Sequence, residues 1–341
     1  MSGLFSGVSM SVCSRFCQQK PACCSFMDKC LFAIMVDISP LTELTDSENT
    51  TMNINATIVL TGATSGIGQL AAIELARRGA HLVLTARDKT KAAATCERIH
   101  AAVPDARVDV HYADLSSLDS VAALGFELVS QYERIDVLIN NAGLHAFDQR
   151  VTVDGHAEML AVNYLAPWLL TNLLRDTLVR SAPSRIITVA SEASRRSGGL
   201  DLERDLFDTV PFTRLGSSKS YSKTKLMDIM FSQELARQLL DTGVAVHCLD
   251  PGFNVTGLGR ELGFSTLLAR ALNWLRIGDP QRGADIIVRL ATDSDISPAS
   301  GGYFSVNDAK PIQPTPPAEN AAACQDLWAA TSALLANHYR S

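Results

Sequence analysis

The sequence predicts an α/β fold: a doubly wound, mostly parallel sheet with helices on both faces. Three observations predict it. Short apolar, β-branched runs recur along the chain. Helical stretches lie between most of them, which is the pattern of parallel strands joined by crossover helices. Finally, the runs are hydrophobic throughout rather than at every second residue, so both faces of the sheet are covered.

The regular region begins at residue 56. ATIVL is the first strand, and QLAAIELARRG after it is a helix ending at Gly79, a helix stop. HLVL, VDVHY, VLIN, RIITVA and VAVHCL supply further strands. No internal repeat interrupts the series, and the only biased segment is PIQPTPP near the end. A chain of 341 residues with 47% hydrophobic residues is long enough for one large domain and an appendage. Its net charge of −6 supplies no basic stripe for nucleic acid.

Residues 1–51 read as a disordered N-terminal appendage, with Met52 just before the first strand as an alternative start. Five cysteines (Cys13, Cys17, Cys23, Cys24, Cys30) crowd this stretch without a CxxC pair or a nearby histidine, so no metal site is expected. CLFAIMV is far shorter than the about 20 residues a membrane helix requires. The scattered Cys96, Cys248 and Cys324 suit a reduced, cytoplasmic body, with peripheral membrane association left open.

The first strand runs into TGATSGIG, residues 61–68. In a doubly wound sheet the first strand-to-helix turn is where a pyrophosphate rests on a helix N-terminus, and glycine allows the close approach. Gly62 would make the turn, Gly66 would leave room for phosphates, and Gly68 would let the helix pack on the strand. A purely structural turn is the competing reading. VLINNAG ends the fourth strand in Asn140, Asn141, Ala142 and Gly143, small and amide residues that suit a flat ring over the backbone.

In SYSKTKLMDIMFSQELARQLL, Tyr221 and Lys225 stand four apart and share one helix face. Leu226, Ile229, Met230 and Leu239 continue the apolar side of that helix. A phenol near pKa 10 is a poor acid-base catalyst at neutral pH, and the ammonium is expected to lower that value. Ser191, after RIITVA, lies at the same sheet edge as the glycine turn and can donate to a substrate oxygen. Each feature alone is commonplace; their convergence on one edge is what carries weight.

TGATSGIG, NNAG, Ser191, the YxxxK of Tyr221 to Lys225, and Pro251-Gly252 together resemble the short-chain dehydrogenase/reductase family from about residue 56 to about 335. DGHAEMLAVNYLAPWLLTNLL, the thirty-residue gap from Ser191 to Tyr221, and SGGYFSVNDAK are similar to its retinol-dehydrogenase-like branch. The resemblance implies a single-domain Rossmann fold over residues 52–341, with a seven-stranded sheet and a substrate lid at about 253–280. It also implies hydride transfer between a nicotinamide and a carbonyl or alcohol, with Asn163, Ser191, Tyr221 and Lys225 catalytic. Tyr221 would exchange the proton, Lys225 would lower its pKa and hold the nicotinamide ribose, and Ser191 would orient the substrate oxygen. The cofactor would lie on Thr61, Gly62, Thr64, Ser65, Gly66, Ile67 and Gly68, on Arg87, Asp114 and Leu115, on Asn141, Ala142 and Gly143, on Tyr221 and Lys225, and on Pro251, Gly252 and Thr256.

Asn163 matches the family's helical asparagine, which holds a water linking the lysine to solvent. Pro167, four residues later, has no N–H for the Asn163 carbonyl. A local kink is expected there, with that carbonyl accepting from the relay water; the alternative is a packing helix bent by proline. Arg87 at the end of HLVLTARD suits a 2′-phosphate and so NADP(H) over NAD(H), although Asp88 follows it and a solvated Arg87–Asp88 pair competes. Asp114 is read either beside the adenine or as a helix cap.

Leu267, Leu268, Leu272, Trp274 and Leu275 would line a pocket for a lipophilic carbonyl or alcohol, cover a subunit or membrane contact, or simply pack. A homo-oligomer is compatible with the sequence. Glu192 departs from the small residue common after the family serine. Two other readings stay open: a catalytically silent dinucleotide-binding sensor or scaffold, and a dehydratase or epimerase, for which the chain after residue 252 is short.

Overall fold

The computed structural model describes residues 55–212, 214–252, 279–294 and 300–338. The expected appendage, all but the last two residues of the expected lid, Thr256, and the apolar side chains from Leu267 to Leu275 lie outside them.

Seven strands form one parallel sheet in the order β3-β2-β1-β4-β5-β6-β7. They are β1 Thr57–Thr61, β2 His81–Ala86, β3 Arg107–Tyr112, β4 Val137–Asn140, β5 Ser184–Val189, β6 Val244–Asp250 and β7 Gly302–Ser305. The long helices are α1 Gly66–Arg77, α2 Lys89–Ala102, α3 Leu118–Gln131, α5 Ala166–Arg180, α7 Arg214–Gln238, α8 Pro280–Thr292 and α9 Ala321–Leu334; α4 Glu158–Leu160 and α6 Leu202–Asp205 are single turns. No helix among the described residues is long and apolar enough to cross a membrane.

The strand residues divide by side. Val59, Leu138, Ile186 and Val246 pack against Leu128 of α3, Leu169 of α5 and Leu226 of α7. Ile58, Leu60, Ile139 and Leu249 pack against Leu75 of α1 and Ile287 of α8. Alternate side chains point to opposite faces of a strand, so a run such as Ile58-Val59-Leu60 is apolar throughout because each face has its own core. β3 departs from that pattern: as the edge strand it exposes Arg107, Asp109 and Tyr112.

The chain order reverses between β1 and β4. That topological switch point opens a crevice at the carboxyl ends of the strands. The turns after β1, β4, β5 and β6 all meet there.

Candidate active site

The switch point is clamped by two residues. The Asn141 Nδ2 donates to the carbonyl oxygens of Thr61 at 2.8 Å and Gly62 at 3.2 Å. The Thr61 hydroxyl accepts from the backbone N–H groups of Asn141 and Ala142, both at 3.0 Å. Thr61 is 3% exposed and supports the crevice from behind, whereas Gly62, Thr64, Ser65, Gly66, Ile67 and Gly68 line it.

Two glycines are sterically required. Gly62 has φ +70, and a Cβ there would stand 2.8 Å from the Ala142 Cα. A Cβ on Gly68 would stand 2.5 Å from the Gly62 carbonyl oxygen, so α1 reaches the turn only with glycine at that position. The first turn of α1 contains no acidic residue, and no side chain caps it from Ser65. Its N-terminus therefore presents backbone N–H groups and a positive dipole end to the crevice, an environment suited to phosphate.

Along the crevice, Arg87 lies 3.7 Å from Asp114 rather than pairing with its neighbour Asp88. Asp88 is the N-cap of α2, accepting from the N–H groups of Thr90 at 2.9 Å and Lys91 at 3.1 Å. Asp114 is not a helix cap: Ser117 caps α3. Its Oδ1 instead accepts from the Ser116 N–H at 3.0 Å and hydroxyl at 2.7 Å. Burial opposes ionisation of Asp114, but the Ser116 hydrogen bonds and Arg87 outweigh it and hold the carboxyl below its ordinary range. Asp114 and Leu115 line the same cavity as Thr64 and Ser65.

At the other end stand Ser191, Tyr221 and Lys225, all lining the same cavity. The Ser191 Oγ accepts from the Ala193 N–H at 3.1 Å, which leaves its proton to be donated. It acts on the Tyr221 phenol, favouring ionisation. Lys225 is held by two acceptors, the Val189 carbonyl at 2.8 Å and Asp228 Oδ2 at 2.9 Å, and its Nζ sits 6.0 Å from the Tyr221 ring centroid.

Lys225 acts on the Tyr221 phenol in the expected, lowering direction, but burial outweighs it. Burial pushes the phenol above its ordinary value; the Lys225 ammonium and Ser191 oppose this, while Asp228 and Asp250 add to it. Burial likewise disfavours the Lys225 ammonium, but Asp228 and Tyr221 outweigh it and the ammonium is retained.

Asn163 is 1% exposed, and its side chain is fully engaged. Its Oδ1 accepts from the Leu144 N–H at 2.8 Å, and its Nδ2 donates to the Leu144 carbonyl at 2.9 Å and to Thr224 at 3.1 Å. At the site of the expected kink the helix makes a π-turn over Ala161–Leu165, where the Ala166 N–H reaches the Ala161 carbonyl. Such one-residue insertions are frequent at functional sites, and Pro167 follows directly.

Three groups at this end are not evident from sequence pattern. His145 stacks on the Tyr221 ring with centroids 4.8 Å apart and contacts the Ser217 hydroxyl at 3.2 Å; only its position two residues after NNAG hints at a role. Asp228 could be found by its spacing of three from Lys225 on the helix. Asp250, at the end of β6, accepts from the Glu192 N–H at 3.0 Å. The Glu192 side chain turns to Arg195 at 2.6 Å and Tyr303 at 3.3 Å.

These walls enclose a cavity of about 420 Å³. It presents the uncapped N-terminus of α1, a cation at Arg87, the backbone of Asn141 to Gly143, and the Tyr221 and Lys225 side chains. The residues present fit a nicotinamide dinucleotide, which α1 would hold at its pyrophosphate and Tyr221 and Lys225 would hold at its reactive end.

The short chain dehydrogenase family model matches residues 56–200. Retinol dehydrogenase 13 of Homo sapiens is 36% identical over 284 residues, covering 82% of this chain and 84% of that protein. Retinol dehydrogenase 14 of Mus musculus is 37% identical over 286 residues, covering 80% and 83%. Among solved structures, one described as an NAD(P) dependent gluconate 5-dehydrogenase from Beutenbergia cavernae, with NADP bound at low occupancy, superposes with a TM-score of 0.59 at 26% identity, covering 75% of this chain and 96% of that one.

Proposed function

This chain belongs to the short chain dehydrogenase family, in its retinol-dehydrogenase-like branch, and from that premise we propose that it reduces a lipophilic aldehyde or ketone with NADPH, or runs the reverse alcohol oxidation. Membership makes it an NAD(P)-dependent oxidoreductase of CH–OH groups. The observation that carries the carbonyl–alcohol chemistry is the placement of Tyr221, Lys225 and Ser191 in one cavity with Asn141 to Gly143.

When bound, the reduced nicotinamide supplies a hydride to the carbonyl carbon. Tyr221 gives its phenolic proton to the carbonyl oxygen as the alcohol forms. Ser191, its Oγ already accepting from Ala193, points its proton at the same oxygen and orients it. Lys225 holds the ribose side of the cofactor with the N–H that Val189 and Asp228 leave over. Asn163 fixes the Leu144 backbone, next after Asn141 to Gly143, and its own carbonyl accepts the relay water.

Arg87 supports NADPH over NADH. It lines the cavity, and the carboxylate that would repel a 2′-phosphate, Asp88, is turned to cap α2. The names of the retinol dehydrogenase relatives support a lipophilic substrate. We also read the body as working in the cytoplasmic compartment, supported by the free thiols of Cys96, Cys248 and Cys324.

The test is absorbance at the reduced-nicotinamide band with NADPH and separately NADH, against lipophilic aldehydes and ketones, beside Tyr221→Phe. NADPH oxidation that disappears in the variant is expected. Binding of both cofactors with no turnover across a wide panel would instead support the silent sensor.

A further inference from the structure

Ser191 stands on the turn after β5, and the bonds that fix this turn come from two neighbouring strands. The β5–β6 ladder ends with the Ala190 N–H donating to the Leu249 carbonyl at 2.8 Å. The next N–H on that side of the chain, two residues on, belongs to Glu192. It goes to a side chain instead, donating to Asp250 Oδ1 at 3.0 Å. Beyond Asp250 the chain turns through Pro251 and Gly252, with Gly252 at φ +73. The carboxylate of Asp250, 5% exposed, thus adds a rung where β6 ends.

The Glu192 side chain carries the tie one strand further. Its Oε1 accepts from the Tyr303 hydroxyl at 3.3 Å, and Tyr303 lies on β7, opposite Cys248 of β6 and 2% exposed. A hydroxyl at that depth needs an acceptor, and Glu192 supplies it. Oε2 takes the Arg195 Nε at 2.6 Å, while a second nitrogen of Arg195 donates to the Gln313 carbonyl at 3.1 Å. The Arg195 and Glu192 side chains are 42% and 44% exposed, so this outer pair matters less than the ties to Asp250 and Tyr303.

The geometry points to Glu192, held at its backbone by Asp250 and at its side chain by Tyr303, as a positioning residue that aims the Ser191 hydroxyl. The inference rests on the Ser191 reading above and extends it to three residues, none of which is among the described residues that line the cavity. Ser191 sits between the Ala190 and Glu192 rungs, so its backbone cannot turn without breaking one of them. Its carbonyl accepts from the Ser194 N–H at 3.0 Å and its Oγ from the Ala193 N–H at 3.1 Å. These bonds leave the hydroxyl proton for the substrate oxygen.

Releasing the Glu192 N–H would free the 3-10 turn over Glu192–Arg196 to shift, and Ser191 caps that turn. A donor displaced from the oxygen it must meet loses much of its effect on the transition state. The same tie gives a use to the glutamate that stands where the family commonly has a small residue. A small side chain at 192 could not reach Tyr303.

The test has one readout without substrate or cofactor and one with them. Amide hydrogen exchange is followed in the peptide from Ala190 to Ser197 for wild type, Tyr303→Phe, Glu192→Ala, Glu192→Gln and Asp250→Ala. Tyr303→Phe keeps the buried ring and removes only the donor. It is expected, with Glu192→Ala and Asp250→Ala, to raise exchange in that peptide about tenfold, whereas Glu192→Gln keeps an oxygen for Tyr303 and is expected to raise it less.

Reduction of a lipophilic aldehyde is then assayed, with NADPH affinity read separately by its fluorescence. Tyr303→Phe and Glu192→Ala are expected to lower kcat about three- to tenfold at an unchanged Kd for NADPH. Combined with Ser191→Ala they are expected to cost nothing further, because the hydroxyl they aim is gone. Wild-type exchange in Tyr303→Phe, Glu192→Ala and Asp250→Ala, or kcat losses that persist in full beside Ser191→Ala, would overturn the inference. A Ser191→Ala protein that reduces aldehydes at the wild-type rate, or a wild type that reduces none, would instead overturn the functional reading beneath it.

Discussion

Asn163 and Leu144 are joined by a reciprocal pair of hydrogen bonds, side-chain Oδ1 to backbone N–H at 2.8 Å and side-chain Nδ2 to backbone carbonyl at 2.9 Å. An amide paired in this way mimics a strand partner. It fixes the chain leaving β4, which lines the cavity, to the helix that carries the π-turn. Asn163→Ala removes this pair and the bond to Thr224 at a site 1% exposed, stranding buried partners at a cost of about 1–3 kcal/mol. The expected result is a lower Tm and a reduced kcat, read by thermal unfolding and steady-state assay. Wild-type Tm would show that Leu144 finds other partners.

Pro167 follows the π-turn and has no N–H to give the Asn163 carbonyl. Pro167→Ala supplies that N–H. The turn can then relax to ordinary α-helical bonding, and the new donor competes for the carbonyl proposed to hold the relay water. We expect Tm to be maintained or raised, and kcat to fall with little change in KM. An unchanged kcat would reduce Pro167 to a packing residue.

His247 makes stability depend on pH in a defined sense. It lies on β6 opposite Gly302 of β7, edge-on to the Phe304 ring, and its Nδ1 is buried without a hydrogen-bond partner among the described residues. Burial, with a smaller contribution from Arg185, pushes its pKa down to about 4. The unfolded chain titrates near 6.5, so below that pH it binds a proton that the folded protein refuses. The contribution from His247 is complete above about pH 6.5 and is lost as pH falls toward 4, by about 1.4 kcal/mol per unit. Urea unfolding at pH 7.5 and pH 5 is expected to show that loss in wild type and a smaller one in His247→Gln; equal losses would place the acid sensitivity elsewhere.

What sequence pattern revealed follows from how local each feature is. Five strands were legible because two covered faces make continuous apolar runs, the edge strand β3 stood out only by its valines Val108 and Val110, and Tyr221 and Lys225 were legible because one helix sets their spacing. β7, only Gly302–Ser305, is too short to stand out; the family resemblance implied a seventh strand but not its place at the sheet edge. The stacking of His145 on Tyr221 joins a loop after β4 to α7, and no periodicity reports such a contact. Asp228 is a different case: its three-residue spacing from Lys225 was visible, but its burial was not, and burial is what turns a common helix pair into a sealed ion pair. Competing readings of single residues were decided by their partners. Asp88 proved to be a helix cap and Asp114 did not.

Arg87 provides the most direct test of cofactor choice. Its side chain is 70% exposed and 3.7 Å from Asp114, so it loses little on moving to a phosphate. That surface pair is itself worth at most about 1 kcal/mol, whereas a guanidinium hydrogen-bonded to phosphate contributes about 1.5–3 kcal/mol. Arg87→Ala is therefore expected to lower kcat/KM for NADPH by about tenfold to a hundredfold, while NADH changes little because it presents only a hydroxyl there. Added salt should narrow the gap in wild type, since charge at an exposed site is screened. Asp88→Asn serves as the control: it keeps an oxygen for the Thr90 and Lys91 N–H groups and removes a charge near the same site, so NADPH is expected to gain slightly. An equal loss on both cofactors in Arg87→Ala would assign the arginine to holding Asp114 and the adenine wall rather than to reading the 2′-position.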